Sequence, residues 1–152
     1  ANREDSPEMQ RLLAMAKEYD MDGVIRFLGK KDQDSLPYYY SAAEVVVVPS
    51  HYESFGMVAL EAMACGAPVV ASETGGLAHL VQDGETGYFV PAADPSALAD
   101  RLEHILLDKT LRDRLSGNAV QYARRFAWPH IVGRIISVYE QVIDTFSGGS
   151  SE

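Results

Sequence analysis

Short apolar runs and longer stretches with helical spacing alternate along the chain. The apolar runs predict four short strands, at 24–28, 45–48, 68–72 and 88–90. Helical spacing predicts helices at 7–19, 34–43, 54–66, 74–82, 96–107, 110–125 and 128–146. Because strands alternate with helices, we predict an α/β fold with a parallel sheet of about four strands flanked by helices. The last three helices have no strand between them and are expected to wrap the sheet.

One strand, turn and helix in this pattern carries a candidate site. The run Val45–Val48 is apolar, β-branched and followed by a proline, which is typical of a buried parallel strand. Ser54 is the predicted N-cap of the next helix and Gly66 its predicted C-cap. Glu53 then falls in the loop at the carboxyl end of a strand. In open α/β sheets, ligands bind at that edge.

The helix itself adds a second carboxylate and a group of free backbone donors. Glu61 is the only charged residue between Ser54 and Ala71. A carboxylate in such an apolar helix needs hydrogen-bonding partners. The first amides of the helix, next to a glycine that cannot block approach, form an anion site. They belong to the loop Ser54-Phe55-Gly56-Met57. The stretch is suited to an elongated ligand whose phosphates lie at the helix N-terminus.

Three motifs around these residues resemble the donor site of a known enzyme family. They are Pro-Ser-x-x-Glu-Ser-Phe-Gly, Glu-x7-Glu and Ala-x-Gly-Ala-Pro-Val-Val-Ala-Ser, between residues 49 and 72. The chain resembles retaining GT-B glycosyltransferases of the family-four type, which include sucrose-phosphate synthase, sucrose synthase and the inositol-phosphate N-acetylglucosaminyltransferase of mycothiol synthesis. The resemblance runs from about Val24 to Tyr139 and implies a Rossmann-like, partial GT-B carboxyl-terminal domain. A bare Glu-x7-Glu is weak evidence, whereas the whole string is specific.

The resemblance implies a role for each part of the site. Glu53 is the catalytic candidate, because it would bind the hydroxyls of the donor hexose and stabilise positive charge at the anomeric carbon. Retention in this family is explained by assistance from the leaving phosphate, without an enzyme nucleophile. Glu61 would accept both ribose hydroxyls. Donor sugar and phosphate binding falls to four backbone amides, those of Phe55, Gly56, Met57 and Val58.

Further residues have weaker assignments. The resemblance places the nucleobase near a loop after the first predicted strand, comprising Gly29, Lys30 and Lys31. The two lysines are equally well explained as solvated charge. Gly75 and Gly76 resemble a loop that lines the same cleft, or they serve turn geometry alone. His51 lies near Glu53 and is a candidate for the site, although a lone histidine is more often structural. The three tyrosines at 38–40 are better explained as helix residues packing on the sheet than as a stacking platform.

Composition narrows the classes of partner. The net charge of −9 argues against nucleic acid and against an anionic membrane. A single cysteine, Cys65, excludes a disulfide framework and suits a cytoplasmic location. No segment is long and apolar enough to span a bilayer. The histidines have no spacing typical of a metal site, so no metal and no cofactor are expected. The co-substrate implied by the resemblance is a nucleotide sugar, and a UDP-linked one is favoured.

The resemblance also implies what lies outside this chain. We interpret residues 1–146 as a nucleotide-sugar (donor) binding domain that lacks its first two strands, and 147–152 as a flexible tail. The family's Arg and Lys that bind the diphosphate, and its N-terminal acceptor domain, have no counterpart here. Open sheet edges pair with something. We therefore expect strand complementation by another chain, or a homodimer.

The sequence thus predicts the donor-binding part of a hexosyltransferase of carbohydrate biosynthesis. Alone, it is expected to bind a UDP-glucose-like donor weakly and to transfer nothing. Two alternatives stay open. One is a domain like that of the nucleotide-sugar 2-epimerases, which share the GT-B fold. The other is a non-catalytic half-domain studied for folding and assembly. Ligand titration separates the last alternative from a working donor site.

Overall fold

The computed structural model describes residues 6–147, with side chains described to residue 146. The chain divides into two compact units, Ala1–Leu36 and Pro37–Glu152. The tail expected at 147–152 lies outside the described residues, except for Ser147, which ends the last helix. The extent expected for the donor domain, 1–146, stays a prediction.

Within residues 6–35, the first unit contains the helix α1 (Pro7–Glu18), at the place the sequence predicts. Ser6 is its N-cap, and the Ser6 hydroxyl accepts a hydrogen bond from the Met9 amide at 3.2 Å. Pro7 occupies the first turn, where its missing N–H costs nothing. The chain leaves the helix through Asp20, which has a left-handed backbone with φ of 57°.

The strand predicted at 24–28 is not formed. The amides of Val24 and Ile25 both donate to the Met21 carbonyl, at 2.9 and 3.0 Å, and close a turn. Residues 25–30 continue without regular structure, and Val24 is 71% exposed. A strand is stable only in a ladder, and no described strand pairs with this segment. The apolar pattern was therefore misleading here, and the sheet has three strands instead of about four.

The second unit is built on a parallel sheet, which confirms the α/β prediction. Its strands are β1 (Val46–Val48), β2 (Val69–Ser72) and β3 (Gly87–Val90), in the order β1-β2-β3. The register aligns Val47 with Val70 and Val70 with Tyr88. The helices of this unit are α2 (Leu36–Ala42), α3 (Met57–Ala64), α4 (Leu77–Leu80), α5 (Pro95–Leu107), α6 (Lys109–Ala123) and α7 (Trp128–Ser147), with a 3₁₀ turn at Arg124–Phe126.

The central strand β2 is buried on both faces, as a parallel strand covered by helices must be. All four of its residues are buried. Val69 and Ala71 face a cluster that includes Met63 of α3. Val70 points to the opposite side, toward a cluster that includes Ile105 of α5. Alternation along the strand therefore joins the two halves of the core, and the carboxyl end of the strand is held rigidly between them.

The three carboxyl-terminal helices behave differently from one another. The helices α5 and α6 pack on the sheet and on α3, as expected. The last helix, α7, packs by its beginning on the 3₁₀ turn, and most of its apolar side chains are exposed. The expectation that all three helices wrap the sheet is therefore wrong for α7, because the 3₁₀ turn and the break at Ala127 redirect the chain. No described helix is long and apolar enough to cross a bilayer.

Candidate functional site

The candidate site lies where the strands of the sheet end. Residues after β1, β2 and β3 converge at one edge, because parallel strands point the same way. A shallow cleft of about 190 Å³ opens there. Its lining includes His51, Ser72, Val90 and Asp94. The structure thus places His51 at the carboxyl edge, two residues before Glu53, although Glu53 does not line this cleft.

The loop before α3 differs from its predicted form. The helix begins at Met57, and its N-cap is Gly56 in a left-handed conformation with φ of 94°, without a side-chain cap. Ser54 is therefore not the N-cap. The Glu53 carboxylate takes over part of that role, because its Oε1 accepts the amides of Phe55 at 3.3 Å and Gly56 at 3.1 Å. The Glu53 side chain is longer than that of Ser54. It reaches the two amides that the left-handed conformation of Gly56 turns toward it.

The next amides of α3 have no acceptor in the part of the chain that the structure describes. The first intrahelical bond runs from the Leu60 amide to the Gly56 carbonyl, at 3.0 Å. Among the described residues, no oxygen accepts from the amides of Met57 or Val58. Such amides carry the positive end of the helix dipole. They are open donors beside the Glu53 carboxylate.

Gly56 is required by both conformation and space. A Cβ at this position would lie 2.9 Å from Cδ2 of Leu77 and 3.2 Å from Cδ2 of Leu80. Its positive φ also disfavours any other residue. The start of α3 is therefore pressed against α4, and the loop between Glu53 and Met57 is held from behind. Phe55 adds a contact on its other side, with its ring 6.3 Å from that of Phe126.

Gly75 and Gly76 hold the Glu53 loop by close backbone contact. The Gly76 amide donates to the Glu53 carbonyl at 2.8 Å. A Cβ on Gly75 would collide with that same carbonyl oxygen, and one on Gly76 with the backbone of Ser54 and Phe55. The two glycines thus permit an approach that no other residue allows. Gly75 also has a φ of 47°, so it serves the turn geometry that the sequence suggests as well as the close approach of the two loops.

Glu61 lies one turn into α3, about 6 Å along the helix from Met57. It is half-buried, and its Oε2 accepts a hydrogen bond from the Tyr40 hydroxyl at 3.2 Å. Burial is the main cause that raises the pKa of the Tyr40 phenol, followed by the hydrogen bond and the negative charge of Glu61. Tyr40 therefore remains a donor at neutral pH. The sequence reasoning missed this pair, and its only signal was a tyrosine on the core-facing side of α2.

The proposed base-loop residues belong to the first compact unit. Gly29 has a left-handed backbone with φ of 65°, and nothing lies within 4 Å of a Cβ built on it. Lys30 is exposed and Lys31 is half-buried. They follow an irregular segment. The prediction that they follow a strand is therefore wrong. Their role at the nucleobase stays a prediction. Within residues 6–147, no cluster of His, Cys, Asp or Glu is arranged to hold a metal ion.

Comparison with known proteins gives one clear family match. The model of the family described as "Glycosyl transferases group 1" matches residues 5–122. The chain is similar to the D-inositol 3-phosphate glycosyltransferase of Actinosynnema mirum, with 46% identity over 135 residues. That alignment covers 89% of this chain and 32% of the relative. The chain therefore spans about a third of the length of the curated relatives it matches.

Solved structures give the same picture of the fold. Sucrose-phosphate synthase from Thermosynechococcus elongatus matches with a TM-score of 0.82 and 41% identity, over 94% of this chain and 36% of that chain. The Anabaena protein HepE, solved in complex with UDP-glucose, matches with a TM-score of 0.73 and 26% identity. This second match covers 92% of this chain and 36% of HepE.

Proposed function

Because the chain belongs to the glycosyl transferases group 1 family, we propose that it is the donor-binding part of a retaining hexosyltransferase. The observation that carries the proposal is the arrangement on one helix at the carboxyl edge of the sheet. Open amides at the start of α3 lie between the Glu53 carboxylate in the loop and the Glu61 carboxylate one turn further along. A nucleotide sugar has hydroxyls on both sides of its diphosphate, on the hexose and on the ribose, so these polar groups match this order.

The amides of Met57 and Val58 would bind the phosphate next to the sugar. They lie at the N-terminus of an eight-residue helix and have no described protein acceptor. A helix N-terminus stabilises negative charge. During transfer, the bond from the anomeric carbon to the diphosphate oxygen breaks, and negative charge grows on the leaving diphosphate. Preorganised donors at that point lower the barrier without having to reorganise.

Glu53 would bind the hexose. Its Oε1 already accepts two backbone amides, which fixes the orientation of the carboxylate. Its Oε2 accepts no hydrogen bond from the described residues, so this oxygen is open to sugar hydroxyls. A fixed carboxylate near the sugar ring also stabilises positive charge on the anomeric carbon during departure of the diphosphate. Glu53 thus orients the sugar without acting as a nucleophile.

We propose UDP-glucose as the donor, supported by the structural likeness to HepE, whose structure holds that compound. The acceptor is expected to bind residues outside the matched third of the relatives. The edge of β1 that faces away from β2 pairs with no described strand. Strand complementation by another chain, or a homodimer, stays our proposal for that edge.

The change of Glu53 to Gln tests the sugar contact. We expect Glu53→Gln to weaken UDP-glucose binding about tenfold, because a hydrogen bond to a charged group contributes about 1.5–3 kcal/mol. UDP affinity should stay within about twofold, because UDP lacks the hexose that Glu53 would bind. Removal of the negative charge of Glu53 near the phosphates also does not weaken phosphate binding. Isothermal titration of both ligands measures the difference. Glutamine keeps an oxygen that accepts the two loop amides, so the loop is preserved.

Glu103→Gln is the matched control, because Glu103 is an exposed glutamate in α5, outside the loops at the carboxyl edge of the sheet. It should leave the affinities for both ligands unchanged. Equal loss of UDP and UDP-glucose binding in Glu53→Gln would contradict the sugar contact. Comparable binding of ADP-glucose or GDP-glucose by the unsubstituted chain would contradict the assignment of the base.

A further inference from the structure

A hydrogen bond joins two helices of the second unit at the candidate site. The Tyr40 hydroxyl on α2 donates to Oε2 of Glu61 on α3 at 3.2 Å, across 21 residues of sequence. Both side chains are half-buried. Glu61 is the carboxylate to which our proposed function assigns the ribose, so Tyr40 contacts the group that would bind the nucleotide.

Tyr40 is held in place by the core. Its ring packs against the buried cluster that includes Ala59, Ala62 and Met63 of α3. The neighbouring Tyr38 is on the same helix but is 79% exposed. A tyrosine side chain has only two rotatable angles before its ring is fixed. The packed ring of Tyr40 therefore fixes the position of its hydroxyl relative to α3.

A glutamate on a helix surface needs such an anchor to bind two hydroxyls at once. Its side chain has three rotatable bonds, and ordering a flexible side chain on binding costs free energy. A donor that holds one carboxylate oxygen beforehand removes part of that cost. One phenol uses one of about four lone-pair directions on the carboxylate. The carboxylate therefore has lone-pair directions other than the one that the phenol uses.

We propose that Tyr40 is a positioning residue, whose hydroxyl holds the Glu61 carboxylate in the orientation that accepts the ribose hydroxyls of the donor nucleotide. This inference rests on the proposed function of Glu61. Because burial and the Glu61 charge raise the pKa of the phenol, Tyr40 stays protonated and donating throughout the neutral range. Tyr40 itself does not contact the nucleotide in this role.

The test compares UDP with 2′,3′-dideoxy-UDP, which lacks both ribose hydroxyls. We expect Tyr40→Phe to weaken UDP binding about three- to tenfold, the effect of one hydrogen bond, and to leave dideoxy-UDP binding unchanged. The ratio of the two dissociation constants, measured by NMR titration, is the readout. Tyr38→Phe is the matched control on the same helix and should leave both affinities unchanged.

Three results would overturn the proposal. If Tyr40→Phe weakens both ligands equally, Tyr40 acts only on the fold. If it changes neither while the unsubstituted chain prefers UDP over dideoxy-UDP, Glu61 binds ribose without the help of Tyr40. If the unsubstituted chain shows no preference, the ribose role of Glu61 in the proposed function fails, and the positioning role fails with it.

A double-variant cycle gives a second, independent test. In a Glu61→Ala background there is no carboxylate to position. Tyr40→Phe should then cause no further loss of UDP affinity, measured with concentrations high enough for the weaker binding. Additive losses would show that Tyr40 acts through something other than Glu61. Thermal unfolding of each variant checks that the second unit remains folded.

Discussion

Glu61→Ala should reduce the affinity of the chain for UDP at least about a hundredfold. Each hydrogen bond to a charged group contributes about 1.5–3 kcal/mol, and two ribose hydroxyls would lose their acceptor together. Oε2 of the half-buried Glu61 accepts a hydrogen bond from the Tyr40 hydroxyl. The variant therefore also removes this acceptor from the phenol. Calorimetric titration of UDP into both chains measures the change. Glu61→Gln should give an intermediate loss, because an amide oxygen still accepts one hydroxyl.

Glu103→Ala, in α5, serves as the control for loss of negative charge. It removes one exposed carboxylate and changes the net charge of −9 by the same amount as Glu61→Ala, but it leaves α3 unaltered. If both variants changed UDP binding equally, the effect would be one of overall charge. Unchanged UDP binding in Glu61→Ala would contradict the assignment of this carboxylate to the ribose.

The second large effect is expected from Gly76→Ala. The added methyl group would meet the backbone of Ser54 and Phe55, where neither atom is the end of a flexible side chain. The Gly76 amide must also keep its bond to the Glu53 carbonyl at 2.8 Å. We expect the free energy of unfolding to fall by more than about 2 kcal/mol, in the range of overpacked or strained sites. Donor binding should be lost as well, because the Glu53 loop has to move.

Gly117→Ala is the matched control for a glycine-to-alanine change. Gly117 lies in α6, is exposed, and has nothing within 4 Å of a Cβ. Alanine there should stabilise the chain by about 0.5–1 kcal/mol, since glycine weakens a helix interior. Chemical denaturation followed by circular dichroism measures both variants. A Gly76→Ala chain as stable as the unsubstituted one would show that the two loops are not in close contact.

The sequence predicts well where its local pattern and its tertiary role agree. Val69–Ser72 begins with two β-branched valines and follows a proline, and it becomes the buried central strand. The start of α1 at Ser6 and Pro7 is likewise set by local capping. The run at 24–28 has the same local appearance but forms no ladder, because strand formation depends on a partner that the pattern does not contain. The exposed helix α7 is similar, because its helical pattern is local, whereas packing on the sheet depends on contacts that the pattern does not contain.

The candidate site shows the same difference between features set by local sequence and features set by tertiary contacts. The spacing of Glu53 and Glu61 is visible in the sequence, and both residues lie on or before one helix at the carboxyl edge. The bonds from Glu53 to the Phe55 and Gly56 amides depend on the left-handed turn at Gly56, which the sequence reasoning did not foresee. The Tyr40 contact joins residues 21 positions apart. Such a contact follows from packing and has no local sequence pattern.

The central claim is that the start of α3 binds the phosphates of a nucleotide sugar. The most direct test is an NMR titration of the isotope-labelled chain with UDP-glucose, which follows every backbone amide. We predict saturable shifts that are largest at Met57 and Val58, with Phe55 and Gly56 also affected, and weaker shifts around Glu61. Shifts confined to other parts of the chain, or no saturable shift at 55–58, would contradict the claim.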